Sequence, residues 1–550
     1  MKKRILSLIL VCGLLMSFAA CGNSKNGTTD NSSSATGSTS ATTGETTTSD
    51  DGVKMIDENT YAEGVKIVKE PITLNVTVVS GSHVGNMADL EWIKKLQEDT
   101  NIKLEFHHIN TGDTVEQRNL IFASQDYPDI FWGNPTDQQI SSCIEADSIY
   151  ALDELIEKYS PNWKNYLQNN DNVRKLVTSN DGHIYSLPMI RDEIVQNGIR
   201  DQWLINKVWL DELGLKVPET DLEFLDTMRA FKANAGKGSI PEGVIPYYFR
   251  YNYFIGSQLD FYAAYGVVVP GDQDKTYISI NEDGKTVEYN FTDKEIMKPV
   301  NMLNTFFNEG LIPSSVFIDE WNEYLAKTRA EPSFVGSFHS FHNPNTDVYT
   351  AMAPFKVEGV EKAYIRSQLN QVSRNYFTIF KNNKYPEASM RLADVIADSE
   401  RSLTGFYGSF DKYIEKTNDG YLQLPQEADE QMKENCPGNC LPLLITSDIA
   451  NKMTYDGALK VRAEAIEMYK PYILPTERLY PRLMIPQEKQ NRYYELETDI
   501  NNLTSKQYAE WITKGGIEAG WDKYLQELEA AGLKEYLELA QELYNDFNSH

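Results

Sequence analysis

The order of apolar patterns over residues 72–132 constrains the fold of this chain more than any other feature. Alternating apolar and polar residues predict strands, and apolar residues at helical spacing predict helices. In chain order the patterns are strand, helix, strand, helix and strand: Ile72–Val79, Ala88–Asn101, Ile102–Phe106, Val115–Ser124 and Asp129–Trp132. This rhythm is typical of a mostly parallel sheet covered by helices. The sequence therefore predicts an α/β fold.

Similar patterns continue along the chain without an internal repeat of fixed period. Predicted strands and a hairpin lie at 182–188, 202–206, 278–289, 334–338 and 375–380. Predicted helices lie at 207–213, 296–308 and 386–398, and amphipathic helices follow from Lys506 onward. Ligands of open α/β sheets bind beyond the carboxyl ends of the strands. The loops Ser80–Asn86 and Gly133–Asp137 follow strands, so we expect them to line that edge.

The N-terminus has the layout of a secretory signal peptide. Lys2–Arg4 form a cationic head, and the apolar segment Ile5–Ala20 is too short to remain in a bilayer as a spanning helix. Phe18-Ala19-Ala20-Cys21 resembles the bacterial lipobox, with Phe18 where Leu is usual. We expect residues 1–20 to be removed and Cys21 to be acylated. The alternative is a plain signal peptide followed by an incidental cysteine.

The segment 21–52 contains almost no apolar side chain and is dominated by Ser, Thr, Gly and Asn. Such a segment cannot bury enough surface to offset its ordering entropy, so it is expected to be disordered. As a flexible coil it would span about 30 Å. We therefore expect a tether that holds a folded body at the extracellular face of the cell membrane, through the lipid on Cys21.

The charge balance excludes one large class of partner. The chain has 52 Lys and Arg against 80 Asp and Glu, which gives a net charge of -28. A polyanion gains nothing from such a surface, so nucleic acid is not an expected partner. The acidity is more simply explained as a source of solubility for an exposed protein. Beyond the signal segment no long apolar run predicts a membrane span.

Three cysteines remain once the signal and the lipid site are set aside. Cys436 and Cys440 flank Pro-Gly-Asn and could close a small disulfide loop in an oxidising exterior, or could be two free thiols at a turn. A zinc site is disfavoured because no second pair and no nearby His completes four ligands. Cys143 stands alone in the sequence. The sequence implies no metal site and no cofactor.

Several segments resemble the family-1 extracellular solute-binding proteins, in particular the large lipoprotein branch from Gram-positive bacteria. The matching segments, spread over residues 71–547, are Tyr127–Trp132, Asp181–Pro188, Leu204–Leu215, Tyr385–Asp394 and Gly520–Tyr536. Ser186 replaces a common Gly, and Asn206 stands where this branch often has Arg. Any ligand contact by that Arg is therefore not expected in this chain.

The resemblance implies an α/β fold of two lobes, the periplasmic-binding-protein-like fold of type II, with extra C-terminal helices. Each lobe would be a mostly parallel sheet flanked by helices, and the ligand would be trapped between the lobes. The implied division is 71–190 and 374–430 for the first lobe, and 195–370 and 440–550 for the second, with the last segment supplying the terminal helices.

A sugar site needs aromatic rings for the apolar face of the ring and planar polar groups for its hydroxyls. Candidates follow strands or flank the implied crossings. They are Trp132, Asn134, Tyr185, Arg200, Asp201, Arg250, Asn252, His339, Phe341 and Tyr407. Each has a plainer alternative: Trp132, Tyr185 and other aromatics could be core residues, and Arg200 with Asp201 could form a simple salt bridge. His339 and Phe341 are expected to alternate outward together.

The resemblance implies a lipid-anchored, monomeric binding protein that captures a carbohydrate of the oligosaccharide type and delivers it to the permease subunits of an ABC importer. Ligand would favour closure because it touches both lobes at once. A cell-surface glycoside hydrolase and a solute- or peptide-sensing lipoprotein remain the alternatives. The sequence contains no nucleophile elbow, zinc-protease motif or P-loop, so we expect no enzymatic activity.

Overall fold

A computed structural model describes residues 47–48, 54–81, 83–110, 114–192, 198–269, 277–366, 372–425 and 430–549. The predicted signal peptide, the lipidation site Cys21 and nearly all of the predicted tether lie outside the described residues. Within the described ranges, none of the helices combines the length and apolarity that a membrane crossing requires.

The strands are numbered β1 to β17 in chain order. They are Thr47–Thr48, Lys54–Met55, Ile72–Ser80, Ile102–Asn110, Ile130–Trp132, Leu187–Arg191, Gln202–Asn206, Ile245–Tyr248, Ile278–Ile280, Val287–Tyr289, Val335–Ser340, Tyr349–Met352, Val372–Ile379, Ile414–Lys416, Tyr421–Gln423, Leu444–Ile445 and Met453–Tyr455.

The α-helices are numbered α1 to α19. They are Glu91–Thr100, Thr114–Ser124, Asp137–Glu145, Asp153–Tyr159, Pro161–Asn169, Asp171–Val177, Lys207–Leu213, Asp221–Ala233, Leu259–Ala264, Met297–Asn308, Trp321–Thr328, Pro386–Ile396, Ser399–Tyr407, Glu430–Glu434, Ser447–Ala450, Gly457–Tyr469, Gln487–Lys514, Ile517–Ala530 and Leu533–Ser549. Short 3-10 turns lie at Met87–Asp89, Asn290–Thr292, Lys294–Ile296, Ser314–Phe317, Gly438–Cys440, Lys470–Tyr472 and Thr476–Arg478.

The first sheet has the strand order β16-β6-β13-β5-β3-β4. Its pairs β3–β4, β3–β5 and β6–β16 are parallel, whereas β13 runs antiparallel to both of its neighbours. The strand-helix order predicted over residues 72–132 is confirmed. One face of the sheet packs in a large apolar cluster, the first core, which includes Leu74, Ile130 and Leu392. A smaller cluster around Phe131 and Phe380 covers the other face.

The second sheet has the order β12-β7-β11-β8 and is mixed. The pair β8–β11 is parallel, whereas β7 runs antiparallel to both of its neighbours, β11 and β12. The second core combines this sheet with helices α8 to α10 and with the long terminal helices α17 to α19. The terminal helices begin at Gln487, earlier than the predicted Lys506. The boundaries of the two lobes remain a prediction.

The chain passes between the two sheets after β6 and after β12, and after β16 it leaves the first sheet for the terminal helices of the second core; these are the three passages. One apolar cluster, the connector core, takes Ile199, Ile365 and Ile445 from these three passages. Backbone hydrogen bonds join the passages directly: the Arg200 amide donates to the Arg366 carbonyl at 2.7 Å, and the Ile365 amide to the Tyr472 carbonyl at 2.8 Å. The three passages therefore form one packed unit.

Cys436 and Cys440 are free thiols in the structure, not a disulfide. Both are buried in the first core, where the Cys436 thiol donates to the Phe406 carbonyl at 3.5 Å. Burial raises the pKa of each thiol to about 12. Oxidation proceeds through the thiolate, which burial disfavours for both thiols in the folded chain.

Candidate functional site

A cavity of about 530 Å³ lies between one edge of the first sheet and the C-terminal helices. The loop after β5 and the start of β13 form one wall, and the segment leading into α17 forms the other. Its polar and aromatic lining residues are Arg118, Asn134, Thr136, Asp137, Gln138, Ser373, Arg374, Asn375, Tyr376, Tyr480, Arg482, Tyr493, Tyr494 and Glu497. The two walls come from segments more than a hundred residues apart, so only the folded chain forms this cavity.

Asp137 organises the sheet-edge wall. It is the first residue of α3, and Thr136 before it caps the helix in a reciprocal capping box with Gln139. One Asp137 oxygen accepts a hydrogen bond from the Arg374 guanidinium, and the other accepts from the Asn375 amide at 2.8 Å. A carboxylate at a helix N-terminus is further stabilised by the helix dipole. Asp137 is thus held in place with both oxygens engaged.

A bulge in β13 turns Asn375 toward this wall. The register of β13 against β6 shifts between Ser373 and Phe377, and Asn375 has φ of 61°. Asn tolerates this left-handed conformation better than most residues. Its amide also donates to the Pro135 carbonyl at 3.1 Å, and its oxygen accepts from the Ser186 hydroxyl at 2.7 Å. The Asn375 side chain therefore joins the loop after β5, the start of α3 and the segment before β6.

Arg118 projects from α2 into the same wall and is only 8% exposed. One of its terminal nitrogens donates to the Asn134 carbonyl at 2.6 Å, which fixes the loop after β5. Its Nε is buried without a hydrogen-bond partner. Burial lowers the pKa of Arg118, although the guanidinium stays charged at neutral pH.

Tyrosines dominate the opposite wall. Tyr480 and Tyr493 are buried, and the Tyr480 hydroxyl donates to the Ala540 carbonyl at 2.8 Å. Tyr494 is 40% exposed and presents a ring at the cavity. Partial burial, with Asp137 and Glu497 nearby, raises the pKa of Tyr494 to about 12. Its hydroxyl is therefore a neutral donor at pH 7.

A direct side-chain hydrogen bond joins the elements of the two walls. The Gln490 amide in α17 donates to the Ser141 hydroxyl in α3 at 3.3 Å. Gln490 is buried and also donates to the Ile485 carbonyl at 2.8 Å. This contact sets the spacing of α3 and α17 beside the cavity.

Of the residues expected from sequence near the first sheet, only Asn134 lines the cavity. Trp132 is 0% exposed, because β5 lies between β13 and β3 and both faces of the strand are covered. Its ring packs 5.6 Å from that of Phe106 in the first core. Tyr185 is partly exposed away from the cavity and donates to Asp181 at 2.7 Å. Trp132 is thus a core residue, the alternative weighed for it, whereas Tyr185 is only partly buried.

Arg200, Asp201 and His339 belong to a buried charge network of the second sheet, together with Asp260 and Arg366. Arg366 binds Asp260 through two hydrogen bonds of 2.8 and 2.7 Å and reaches Asp201 at 3.4 Å. Arg200 lies 3.6 Å from Asp201, the salt bridge considered as its alternative. Buried charges require such pairing, although the Oδ1 of Asp201 and the Nδ1 of His339 are buried without a hydrogen-bond partner.

His339 does not point outward with Phe341, as was expected. It is 1% exposed, its Nε2 lies 2.9 Å from the Tyr247 hydroxyl, and its ring packs against Trp203. Phe341 is partly exposed, and its ring lies 3.7 Å from the Arg462 guanidinium. The difference arises because β11 has neighbours on both sides, whereas Phe341 follows its end.

Arg250 and Asn252 follow β8 and lie outside the cavity lining. The Arg250 guanidinium stacks 3.7 Å from the Tyr253 ring, and Asn252 exchanges hydrogen bonds of 2.8 and 2.7 Å with Gln258. Tyr407 is 2% exposed in the connector core, so it packs between the passages and does not reach the cavity. Arg250 and Asn252 thus contact residues of their own loop after β8, and Tyr407 contacts the apolar side chains of the connector core.

Sequence reasoning missed most of the cavity wall. The loop Gly133–Asp137 was expected at the sheet edge, and Asp137 and Asn134 are indeed there. Arg374, Tyr480 and Tyr494 gave no signal that could be read from a single sequence. Their segments carry no motif, and they reach the cavity only through the bulge in β13 and the long helix α17. Among the described residues, no group of three or more His, Cys, Asp or Glu is placed to hold a metal ion.

Comparison with known proteins gives consistent relatives. FusA of Streptococcus pneumoniae, a fructooligosaccharide ABC transporter substrate-binding protein, is 27% identical over 485 residues, which cover 83% of this chain and 87% of FusA. Lipoprotein LipO of Bacillus subtilis is 24% identical over 246 residues, 43% of this chain and 45% of LipO.

Solved structures give the same fold. The structure of S. pneumoniae FusA in complex with kestose has a TM-score of 0.75 at 25% identity, covering 87% of this chain and 99% of that one. An HMO-binding ABC-transporter-associated solute-binding protein from Bifidobacterium longum infantis has a TM-score of 0.74 at 21% identity, with the same coverage. The two-lobed, periplasmic-binding-protein-like fold is therefore confirmed.

The family profile described as bacterial extracellular solute-binding protein matches residues 85–400, more than half of the chain. This span includes the sheet-edge wall of the cavity but ends before α17. The chain belongs to the bacterial extracellular solute-binding proteins, a non-enzymatic family that serves ABC transporters.

Proposed function

We propose that this protein captures an oligosaccharide in the cavity between the first sheet and the C-terminal helices and delivers it to an ABC importer. The observation that carries the proposal is the composition of the lining: three tyrosines on the helical wall face arginine, amide and carboxylate groups on the sheet-edge wall, which also carries Tyr376. Aromatic rings suit the apolar face of a sugar, and planar polar groups suit its hydroxyls. FusA, the relative with 27% identity, carries the name of a fructooligosaccharide-binding protein.

We further propose that the protein is held at the extracellular face of the membrane by a lipid on Cys21. The cationic head, the short apolar segment and the Ala-Ala-Cys sequence support this anchor. LipO, which is similar over part of its length, is named a lipoprotein. The polar segment 21–52 would give the binding body free reach from the membrane.

Tyr494→Ala tests the cavity as the sugar site. Tyr494 is 40% exposed, so its loss should leave the unliganded melting temperature nearly unchanged. Loss of an aromatic stacking partner should weaken binding of an oligosaccharide such as kestose by about tenfold, which corresponds to about 1.4 kcal/mol. Isothermal titration calorimetry on both proteins measures the change.

Tyr385→Ala is the matched control. Tyr385 is 39% exposed and lies outside the cavity lining, so its truncation should leave affinity intact. Equal losses in both variants, or none in Tyr494→Ala, would place the sugar elsewhere. If no oligosaccharide in a broad panel binds the wild-type protein, the proposed function is wrong.

A deletion strain distinguishes the import hypothesis from the sensing hypothesis. Removal of the protein should abolish uptake of the bound glycan and growth on it, with no change in gene expression while the glycan is absent. Intact uptake with a lost transcriptional response to the glycan would favour the sensing alternative.

A further inference from the structure

Arg118 is a buried cation in the cavity wall that lacks a carboxylate partner among the described residues. It is more than nine-tenths buried and lines the wall, yet its hydrogen bond goes to the Asn134 carbonyl. Among the described residues, no carboxylate lies within ion-pair distance of its guanidinium, and its Nε has no hydrogen-bond partner. A buried cation without a counter-charge is costly, so such groups are normally paired.

The carboxylates of the same cavity are engaged elsewhere. Both oxygens of Asp137 are bound, by Arg374 and Asn375, and Arg374 offsets its charge. Glu497 on the opposite wall accepts a hydrogen bond from the Tyr536 hydroxyl at 2.9 Å. Three arginines and two carboxylates line the cavity, in a protein whose net charge is -28. The cavity is therefore locally cationic on a strongly acidic protein.

We propose that the ligand is an acidic oligosaccharide and that Arg118 binds a carboxylate of one of its sugar residues. This inference rests on the proposed function and names the class of sugar. The Nε of Arg118 and an adjacent terminal nitrogen form the planar fork that matches a carboxylate, while the remaining terminal nitrogen keeps its bond to Asn134. A uronate and a sialic acid both carry this group.

Matched ligand pairs test the proposal on the wild-type protein. Each pair is an acidic oligosaccharide and its carboxyl methyl ester, so that its members differ only in the carboxylate: tri-galacturonate, an aldouronic xylo-oligosaccharide, and sialyllactose, each with its ester. Calorimetry should give at least about tenfold tighter binding for the acidic member of one or more pairs, as expected for a charged bidentate contact. The pair that responds separates a uronate from a sialic acid.

Arg118 variants test the residue. Arg118→Gln keeps planar donors but removes the charge, so affinity for the acidic ligand should fall about tenfold or more, to that of its neutral counterpart. Arg118→Lys keeps the charge and should retain part of the preference. Arg229→Gln, an exposed arginine paired with Glu309 outside the cavity, is the matched control and should change neither affinity.

The outcomes are distinct. If neutral sugars such as kestose bind as tightly as every acidic one, this inference is wrong and the proposed function stands. A preference for acidic sugars that survives in Arg118→Gln also overturns it, because the anion is then bound elsewhere. Binding of neither class overturns the inference and the proposed function together. If Arg118→Gln does not fold, the matched pairs on the wild-type protein still decide the ligand class.

Discussion

Trp132 and Asn134 are only two positions apart, yet the first is a core residue and the second lines the cavity. Trp132 ends β5 with its ring sealed between the first sheet and its covering helices, whereas Asn134 opens the cavity wall. A tryptophan before a Gly-Asn-Pro turn favoured an exposed position when only the sequence was considered. Trp132 is buried because β5 is a central strand covered on both faces, and its neighbours β3 and β13 come from distant parts of the chain.

Trp132→Ala should therefore act on stability first. Removing a fully buried ring leaves a cavity in the first core, and such changes cost about 3–5 kcal/mol. Urea unfolding of the purified protein measures the loss. Trp321→Ala, at a tryptophan that is 39% exposed, should cost much less. Unchanged stability of Trp132→Ala would show that the ring is not packed as the structure has it.

At the scale of elements, the bulge in β13 is what joins the strand to the cavity. Asn375 sits at φ of 61° and holds Asp137, Pro135 and Ser186 by hydrogen bonds. The bulge interrupts pairing with β6 and redirects one side chain, a recurrent use of bulges beside functional sites. Backbone conformation and side-chain bonding therefore act together at this position.

Two substitutions of Asn375 separate these effects. Asn375→Ala loses the hydrogen bonds and keeps a strained left-handed backbone, whereas Asn375→Gly loses the same bonds without strain. The alanine variant should be less stable than the glycine variant by about 1 kcal/mol. Chemical denaturation compares them. Equal stabilities, or a more stable alanine variant, would mean that the backbone relaxes out of this conformation.

Local elements were predictable because their signals are local. Gly214 ends α7 with φ of 65°, and the hairpin β9–β10 turns at Asp283-Gly284, both as their residue types predict. The cavity has no such signal. Arg374 meets Asp137 across 237 positions, and Tyr494 lines the opposite wall of the same cavity from α17. A cavity lined by such distant segments cannot be predicted from sequence patterns that extend over a dozen residues.

At the scale of the whole molecule, buried titratable groups set the response to acid. Burial lowers the pKa of His339 to about 3, from an ordinary value near 6.5. The unfolded chain therefore takes up a proton before the folded one as the pH falls. The stability held by neutral His339 is fully present above pH 6.5 and is lost progressively toward pH 3.

His339→Gln should reduce this acid sensitivity. From the same pKa difference, the wild-type protein loses about 2 kcal/mol between pH 7 and pH 5 through this residue. Glutamine keeps a polar group beside Tyr247 but does not titrate, so the variant should lose that much less over the same interval. Urea unfolding of both proteins at pH 7 and pH 5 gives the comparison. Identical losses would assign the acid response to other groups.

The connector core limits how the molecule can move. Its apolar side chains come from all three passages, which are also joined by backbone hydrogen bonds. Displacing one passage alone would break this shared packing and these hydrogen bonds, so the three passages are expected to move together. Any change in the spacing of the two cores must therefore act on all three passages at once.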